Sequence, residues 1–149
     1  MEPVLVDFTS EFLKLSWIWL IDDEISRLTN TPSFGVKEQQ IWFSKISEKS
    51  DYLIWGIEFN SKKIGACGLK KITKNDCEYW GYIGEKAYWG RGIGTGILRI
   101  LIRKAKELDL DSIWLQVIKT NDRAINLYIK LNFTFEEEKG DIIIMRKKI

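Results

Sequence analysis

The sequence predicts a single α/β domain spanning residues 1–149. Hydrophobic residues make up 45% of the chain and aromatic residues 13%, which is enough for one well-packed core at this length. Segments rich in aromatic and β-branched residues, typical of strands, alternate with segments in which apolar residues recur every three or four positions, typical of helices. The predicted order of elements is β-α-α-β-β-β-α-β-α-β-β.

The first half of the chain predicts three strands and two helices. Thr9 or Ser10 is a plausible N-cap for the first helix, because hydroxyl side chains accept hydrogen bonds from free N–H groups. The apolar run Trp17–Ile21 indicates that this helix is buried on more than one side. The predicted elements are the strand Val4–Phe8, the helix from Thr9 or Ser10 to about Leu28, the loop Thr29–Gly35, the helix from about Lys37 to Glu48, and a hairpin of Tyr52–Phe59 with Lys63–Leu69.

The second half is organised around a glycine-rich stretch from Tyr88 to Gly96, in which four glycines fall within seven positions. Glycine tolerates positive φ and has no Cβ, so successive N–H groups can converge on a phosphate at the start of the next helix. This stretch therefore predicts an anion site. The elements around it are the strand Cys77–Gly84, an amphipathic helix with apolar residues from Ile97 to Leu108, the strand Ser112–Ile118, a helix beginning near Asp122, and a hairpin of Phe133–Phe135 with Asp141–Met145.

Two common phosphate-binding motifs do not fit this loop. The chain has no Gly-Lys dipeptide, which excludes a P-loop, and no register of the glycines gives G-x-G-x-x-G. The segment Arg91–Gly96 reads R-x-x-G-x-G instead, and it resembles the pyrophosphate loop of the GNAT N-acetyltransferases. A second segment, Asn121–Phe133, is similar to that family's N-x-x-A-x-x-L-Y-x-K-x-G-F signature. It departs at Asn132, where the family has glycine, and asparagine is the next best residue for a left-handed helix end.

The GNAT resemblance, which covers roughly the second half of the chain, implies a fold and a co-substrate. The implied fold is a single-domain GNAT fold whose central mixed, mostly antiparallel sheet is flanked by about four helices. The implied co-substrate is acetyl-CoA, with no metal ion. The residues assigned to the coenzyme are Tyr82, Ile83 and Gly84 on the strand, Arg91, Gly92, Ile93, Gly94, Thr95 and Gly96 in the loop, and Asn121. Asn121 could equally be the N-cap of the helix that follows it.

The implied reaction is direct attack of an amine on the thioester, which needs a proton donor, an oxyanion donor and a base. Tyr128 matches the family's general acid. A phenol with a pKa of about 10 can protonate a thiolate whose acid has a pKa of about 8.5, and a helix start or a nearby cation would improve the match. A backbone N–H around Ile83 is the implied oxyanion donor.

Glu78 is the candidate general base, because it lies on the strand that carries the base in some GNAT branches and a desolvated glutamate suits this role. It could equally be an exposed strand residue, with water relaying the proton. In the ribosomal-protein N-terminal acetyltransferases a glutamate lies on the following strand. This chain has Gln116 there, which cannot act as a base.

The helices after the first strand form much of the acceptor site in GNAT proteins, so Trp17, Asp22, Trp42 and Trp55 are candidate acceptor-binding residues. Each tryptophan could instead pack in the core. The Trp-containing first helix with its acidic end, Trp42 in the second helix and the Cys77-Glu78 strand resemble in layout the GNAT branch that acetylates nucleotide-linked amino sugars and protein N termini. We expect a small-molecule amine, with a nucleotide-linked amino sugar favoured because aromatic side chains stack on sugars and bases. A polyamine or an aminoglycoside would need a more acidic pocket, for which Asp22–Glu24 is the only obvious cluster. Protein N-terminal acetylation and a non-catalytic CoA-binding sensor are the alternatives.

Composition narrows the other classes of function. Lys and Arg number 23 against 21 Asp and Glu, and the net charge of +2 argues against a nucleic-acid binder with a broad basic face. The absence of histidine excludes His-dependent triads, and Cys67 and Cys77 are too few for a thiolate metal site. No secretory signal or membrane-spanning stretch is evident. We therefore expect a cytoplasmic protein that is a monomer or a homodimer, with no nucleic-acid or membrane partner.

Overall fold

The computed structural model describes residues 2–149, and its strands form one seven-stranded sheet in the order β1-β2-β3-β4-β5-β7-β6. The strands are β1 (Val4–Asp7), β2 (Leu53–Phe59), β3 (Lys62–Lys70), β4 (Asp76–Ile83), β5 (Ser112–Ile118), β6 (Thr134–Lys139) and β7 (Ile142–Lys148). The helices are α1 (Ser10–Leu20), α2 (Asp23–Leu28), α3 (Val36–Ile46), α4 (Ile93–Glu107) and α5 (Asp122–Lys130), with a 3-10 turn at Lys86–Tyr88.

The predicted fold class is confirmed, but the first helix is divided. The sequence predicted one helix as far as Leu28, whereas α1 ends at Leu20 and α2 begins at Asp23. Asp22 lies between them with extended backbone, and its Oδ1 accepts hydrogen bonds from the N–H groups of Glu24 and Ile25, both at 3.0 Å. A short acidic side chain that caps a new helix breaks the preceding one. The structure therefore has five α-helices rather than about four.

The C-terminal hairpin is longer than predicted. The acidic segment that the sequence assigned to a turn, residues 136–140, belongs largely to β6, which extends to Lys139. Strand β6 is the edge of the sheet and is exposed along its whole length. Charged side chains are well tolerated on an edge strand, where they also discourage pairing with other chains. Composition alone therefore suggested a turn where the sheet continues.

Among the strands of residues 2–149, one pair of neighbours is parallel, and it separates early. Strands β4 and β5 pair through three positions, from Asp76 with Ser112 to Glu78 with Trp114, whereas β3 stays paired with β4 as far as Ile83. The remainder of β4 therefore has no strand on its β5 side. This divergence opens a cleft in the sheet at the carboxyl ends of two parallel strands, where α/β proteins commonly bind ligands.

The two faces of the sheet carry two separate hydrophobic clusters. Helix α4 packs on one face, with Leu98 and Leu101 fully buried in the larger cluster. Helix α1 packs on the other face, where Phe12 covers Gly56 so closely that a Cβ on this glycine would lie 2.3 Å from the ring. Within residues 2–149, no helix is both long enough and apolar enough to cross a bilayer.

Candidate active site

A cleft of about 980 Å³ opens where β4 and β5 diverge. Its walls come from the second half of β4, the glycine-rich loop with the start of α4, the end of β5, and helix α5. Helix α2 and Tyr52 close it at one end. The predicted anion loop, the strand predicted to carry the oxyanion donor and the helix that carries Tyr128 therefore meet around one space.

The glycine-rich loop has the backbone expected of an anion site. Gly90 and Gly92 have φ angles of 74° and 80°, in the left-handed region, and a Cβ on either would meet no atom within 4 Å. Gly92 is the N-cap of α4, a helix of 15 residues, so the first N–H groups of that helix point out of the loop with the positive end of its dipole. These features fit the diphosphate of acetyl-CoA.

The predicted loop residues do not all reach the cleft. Gly92, Ile93, Gly94 and Thr95 line it, and a Cβ on Gly94 would lie 3.4 Å from the Leu127 side chain. The remaining two lie outside its lining. Arg91 is exposed, with its guanidinium 5.0 Å from the centre of the Tyr88 ring, and a Cβ on Gly96 would approach the Pro3 side chain at 3.2 Å.

The end of β4 presents backbone groups to the cleft. The N–H of Gly84 donates to the carbonyl of Ile64 on β3 at 2.7 Å. Because backbone groups on a strand alternate between its two neighbours, those of Ile83 and Gly81 face the open side. The Ile83 carbonyl already accepts the Trp89 indole N–H at 2.8 Å. The group of Ile83 that remains available to a ligand is therefore its backbone N–H.

Gly84 does not line the cleft, because the Trp19 ring packs directly on its backbone. A Cβ at this position would lie 2.1 Å from the indole. The glycine is therefore required by packing between β4 and α1, a reason that the sequence did not reveal. Tyr82, predicted beside it, lines the cleft and packs edge-on against Trp19 at 6.2 Å between ring centres.

Tyr128 lies on α5 and lines the cleft. Its ring packs edge-on against Tyr79 and at a tilt against Phe133, with ring centres 6.4 Å and 6.0 Å away. Burial raises the pKa of the Tyr128 phenol to about 12. The sequence had suggested that a helix start or a cation would bring this pKa closer to that of a thiol, but desolvation acts in the opposite direction.

Asn121 caps helix α5. Its Oδ1 accepts a hydrogen bond from the Ala124 N–H at 3.3 Å, as expected for an N-cap. The residue also lines the cleft, so its side-chain NH₂ group is the part left for a ligand. The predicted capping role therefore applies to the side-chain oxygen of Asn121, and the predicted coenzyme contact would have to come from its NH₂ group.

Glu78 is buried at the bottom of the cleft, with 3% of its surface exposed. Its Oε2 accepts a hydrogen bond from Gln116 Nε2 at 3.1 Å, and Lys70 Nζ lies 3.9 Å from the same oxygen. Lys71 Nζ lies 3.3 Å from Oε1, which has no hydrogen-bond partner within residues 2–149. From the sequence, Gln116 was considered only as a residue that cannot act as a base. In the structure its side-chain amide orients the Glu78 carboxylate.

None of the four predicted acceptor-binding residues lines the cleft. Asp22 is occupied as the N-cap of α2, Trp17 packs against Phe34, Trp42 packs against Phe8 and Tyr52, and Trp55 packs on the larger core with Lys104 over its ring. Aromatic helix residues satisfy their large apolar surface by packing on each other, which sequence spacing cannot distinguish from a binding role.

Three other aromatic residues form one wall of the cleft: Tyr52, Trp80 and Tyr82. Ring centres of Tyr52 and Trp80 lie 6.3 Å apart, and those of Trp80 and Tyr82 lie 6.5 Å apart in a stacked arrangement. Burial raises the pKa of the Tyr52 and Tyr82 phenols, so both stay protonated at neutral pH. The side-chain alternation of β4, which places Glu78, Trp80 and Tyr82 on one face, was the available sequence signal.

Lysine side chains neutralise acidic residues near the cleft. Lys86 Nζ lies 3.0 Å from Asp22 Oδ2 and 2.9 Å from Glu24 Oε1. Hydrogen bonds from the Ile25 N–H and from Lys86 lower the pKa of Asp22, and the two carboxylates raise the pKa of Lys86. Of the charged residues that line the cleft, three are acids and three are bases. Within residues 2–149, no cluster of three or more acidic or cysteine side chains could hold a metal ion.

Comparison with known proteins gives one family match. The model of the acetyltransferase (GNAT) family matches residues 15–133. The acetyltransferase PseH of Campylobacter jejuni is 23% identical over 136 residues, which cover 91% of this chain and 85% of PseH. The crystal structure of that protein in complex with acetyl-coenzyme A has a TM-score of 0.76 at 21% identity and covers 98% of both chains.

Two further similarities involve other acceptors. Spermidine N-acetyltransferase from Vibrio cholerae, in complex with CoA and spermine, has a TM-score of 0.86 at 18% identity and covers 99% of this chain and 95% of its own. N-alpha-acetyltransferase 30 of Dictyostelium discoideum is 37% identical over 79 residues, which cover 50% of this chain and 42% of that protein. At these levels of identity the two solved structures bear on the fold alone.

Proposed function

The chain belongs to the acetyltransferase (GNAT) family, and we propose that it transfers the acetyl group of acetyl-CoA to the primary amine of a nucleotide-linked amino sugar. The observation that carries the choice of acceptor is the composition of the cleft's acceptor end. That end combines an aromatic wall with carboxylates that are already paired to lysines. Similarity to the acetyltransferase PseH supports acetyl transfer and leaves the choice of acceptor to the composition of the cleft.

The aromatic wall suits a flat or ring-shaped acceptor. Tyr52, Trp80 and Tyr82 are held against one another by ring contacts, so they offer their surfaces without a large loss of side-chain entropy. Sugars pack on such surfaces through their C–H faces, and nucleotide bases stack on them. An alkyl polyamine has no comparable surface to bury.

The paired charges disfavour a polycation. A polyamine or an aminoglycoside needs several unpaired carboxylates, because each ammonium group that leaves water must be compensated. Here Glu78 has Lys70 and Lys71 within 4 Å, and Lys86 bridges Asp22 and Glu24. Two of the three acids that the sequence offered for such an acceptor, Asp22 and Glu24, are therefore paired within the protein.

In the proposed mechanism the chain positions both substrates and moves protons. Bound acetyl-CoA supplies the thioester carbon that the amine attacks. The N–H groups at the start of α4 hold the diphosphate, with Gly92 turning the backbone toward it. The Ile83 N–H, on the open side of β4, stabilises the developing oxyanion.

Glu78 and Tyr128 would carry the two proton transfers. In residues 2–149, Glu78 Oε1 has Lys71 Nζ at 3.3 Å but accepts no hydrogen bond, so it can accept a proton from the amine directly or through one water molecule. Gln116 holds the other carboxylate oxygen in place. Tyr128 keeps its proton at Oη, because burial raises its pKa to about 12, and it donates that hydrogen to the departing sulfur.

A free-thiol assay tests this proposal. Purified protein and acetyl-CoA are combined with nucleotide-linked amino sugars, N-terminal peptides, polyamines and aminoglycosides, and CoA release is measured for each. We expect turnover with the amino sugars. Turnover confined to polyamines or aminoglycosides would refute the acceptor assignment. No turnover with any amine, combined with tight CoA binding, would indicate a sensor module instead.

Acetylation of protein N termini is a second candidate, and one structural feature favours it. A second cavity of about 710 Å³ adjoins the cleft and shares Asn30, Thr31 and Pro32 with it. It continues between the loop after α2 and the start of β7, which would suit an extended peptide. The similarity to N-alpha-acetyltransferase 30 agrees with this candidate. Turnover of peptides rather than amino sugars in the same assay would establish it.

A further inference from the structure

Four cationic side chains lie over the two aromatic residues that begin the glycine-rich stretch. Lys62 Nζ and Arg91 Cζ lie 5.7 Å and 5.0 Å from the centre of the Tyr88 ring. Lys86 Nζ and Arg123 Cζ lie 5.8 Å and 5.3 Å from the centre of the Trp89 ring. Positive charge is therefore concentrated beside the backbone that would hold a phosphate.

The lysines and the arginines of this group differ in their partners. Lys62 lies 3.3 Å from Glu85, and Lys86 bridges two carboxylates of the α2 segment. Neither Arg91 nor Arg123 lies within 4.0 Å of a carboxylate oxygen anywhere in residues 2–149. Both guanidinium groups thus have an aromatic neighbour but no counter-ion in the part of the chain that the structure describes.

The position of Arg123 is unfavourable for a cation in the absence of a ligand. It is the second residue of α5, and the positive end of a helix dipole repels a cation in the first turn. Arg123 also lines the cleft, unlike Arg91. A positive charge that is unpaired, located at the wrong end of a helix and directed along a ligand cleft indicates an anionic ligand.

Trp89 fixes where this guanidinium lies. Its indole N–H donates to the Ile83 carbonyl at 2.8 Å, and its ring packs against the buried cluster of α1 and α2. The ring therefore belongs to the β4 side of the cleft, whereas Arg123 approaches from α5 on the β5 side. The Trp89–Arg123 contact spans the space that opens where β4 and β5 diverge after Glu78.

We propose that Arg123 is a phosphate-binding residue of the coenzyme site, held in position by the indole of Trp89. A planar guanidinium group suits this task, because it binds phosphate oxygens through two parallel N–H groups and stacks on aromatic rings at the same time. The phosphate belongs either to the diphosphate of the coenzyme or to its 3′-phosphate. This inference depends on coenzyme binding and is independent of the identity of the acceptor.

Calorimetric titration with three compounds tests the inference without measuring catalysis. CoA, 3′-dephospho-CoA and pantetheine are titrated into the wild-type protein, Arg123→Gln and the control Arg103→Gln, which changes an exposed arginine of α4 away from the cleft. We expect Arg123→Gln to weaken CoA binding by roughly tenfold or more. Pantetheine binding stays unchanged, and Arg103→Gln binds all three like the wild type.

The three compounds also identify the phosphate. A loss that persists with 3′-dephospho-CoA assigns Arg123 to the diphosphate, and a loss that disappears assigns it to the 3′-phosphate. Unchanged CoA affinity in Arg123→Gln would overturn the inference, and so would an equal loss for pantetheine, which has no phosphate. Wild-type protein that binds none of the three compounds would instead overturn the coenzyme assignment itself.

Discussion

Replacing Tyr128 by Phe tests the proposed general acid, because it removes one hydroxyl and leaves the ring. The phenyl ring keeps the contacts with Tyr79 and Phe133, at 6.4 Å and 6.0 Å between ring centres. We therefore expect little change in the free energy of unfolding. Any loss of activity then reports on the hydroxyl.

The size of the expected loss follows from the raised pKa. Complete proton transfer from a phenol with a pKa of about 12 to a thiolate whose acid has a pKa of about 8.5 would be uphill by roughly 5 kcal/mol. Tyr128 therefore acts by sharing its proton as the C–S bond breaks, rather than by ionising beforehand. We expect kcat to fall by about 10²-fold, near the lower end of the range for general acid catalysis.

The assay follows free CoA against acceptor concentration from pH 6 to pH 10, with CoA affinity measured by calorimetry. The change should appear in kcat, with CoA affinity retained. Below pH 10 the wild-type protein should show no loss of rate caused by ionisation of Tyr128, because burial keeps the phenol protonated. Ile129→Ala, at the next and more exposed position of α5, is the control and should retain wild-type activity.

An unchanged kcat in Tyr128→Phe would refute the general-acid role. A parallel loss of CoA affinity and of stability would show instead that the hydroxyl supports the fold. A fall in the wild-type rate between pH 8 and pH 10 that is absent from Tyr128→Phe would contradict the raised pKa. The first result would appear in kcat, the second in CoA affinity and the free energy of unfolding, and the third in the pH dependence of the rate.

Three further predictions concern the base, the loop and the thiols. Glu78→Gln should lower kcat by about 10²-fold and leave CoA affinity unchanged, and loss of CoA binding would argue against a base. Gly92→Ala and the control Gly140→Ala both place a side chain at positive φ, at a cost of roughly 1–2 kcal/mol each in urea unfolding, but only the first should also weaken CoA binding in calorimetry. Cys67 and Cys77 are fully buried, and burial raises the pKa of both thiols, that of Cys77 to about 12. Ellman's reagent should therefore detect neither thiol in the native protein and both in urea, and a fast native reaction would contradict the burial.

Patterns within single elements predicted the fold well. Strand β5 has the predicted bounds, Ser112–Ile118, and helix α4 has the predicted apolar stripe. Local signals are sufficient there because an alternating or a three-to-four-residue pattern determines which face a segment can bury. The division of the first helix at Asp22 was not predicted, because an acidic side chain can equally be a solvated helix residue or a cap.

The candidate site divides in the same way. The loop around Gly92 and the helix residue Tyr128 were predicted from the sequence, because a short motif specifies backbone geometry and position within one segment. The aromatic wall of Tyr52, Trp80 and Tyr82 was not predicted as a unit, because it combines β4 with a residue that precedes β2, and Tyr82 alone of the three had been assigned to a site, that of the coenzyme. The helix tryptophans offered in its place pack within the protein.

The sequence by itself determined the glycine-rich loop, the family resemblance and the order of elements apart from the division of the first helix, since each depends on residues that are close together in the chain. Only the tertiary structure decided which charges remain available. It pairs Glu78 with lysines of β3 and the turn after it, joins Asp22 and Glu24 to Lys86, and within residues 2–149 leaves Arg123 with no carboxylate oxygen inside 4.0 Å. Electrostatic partners are set by distance in space, and residues far apart in sequence come within 4 Å only when the sheet and helices pack.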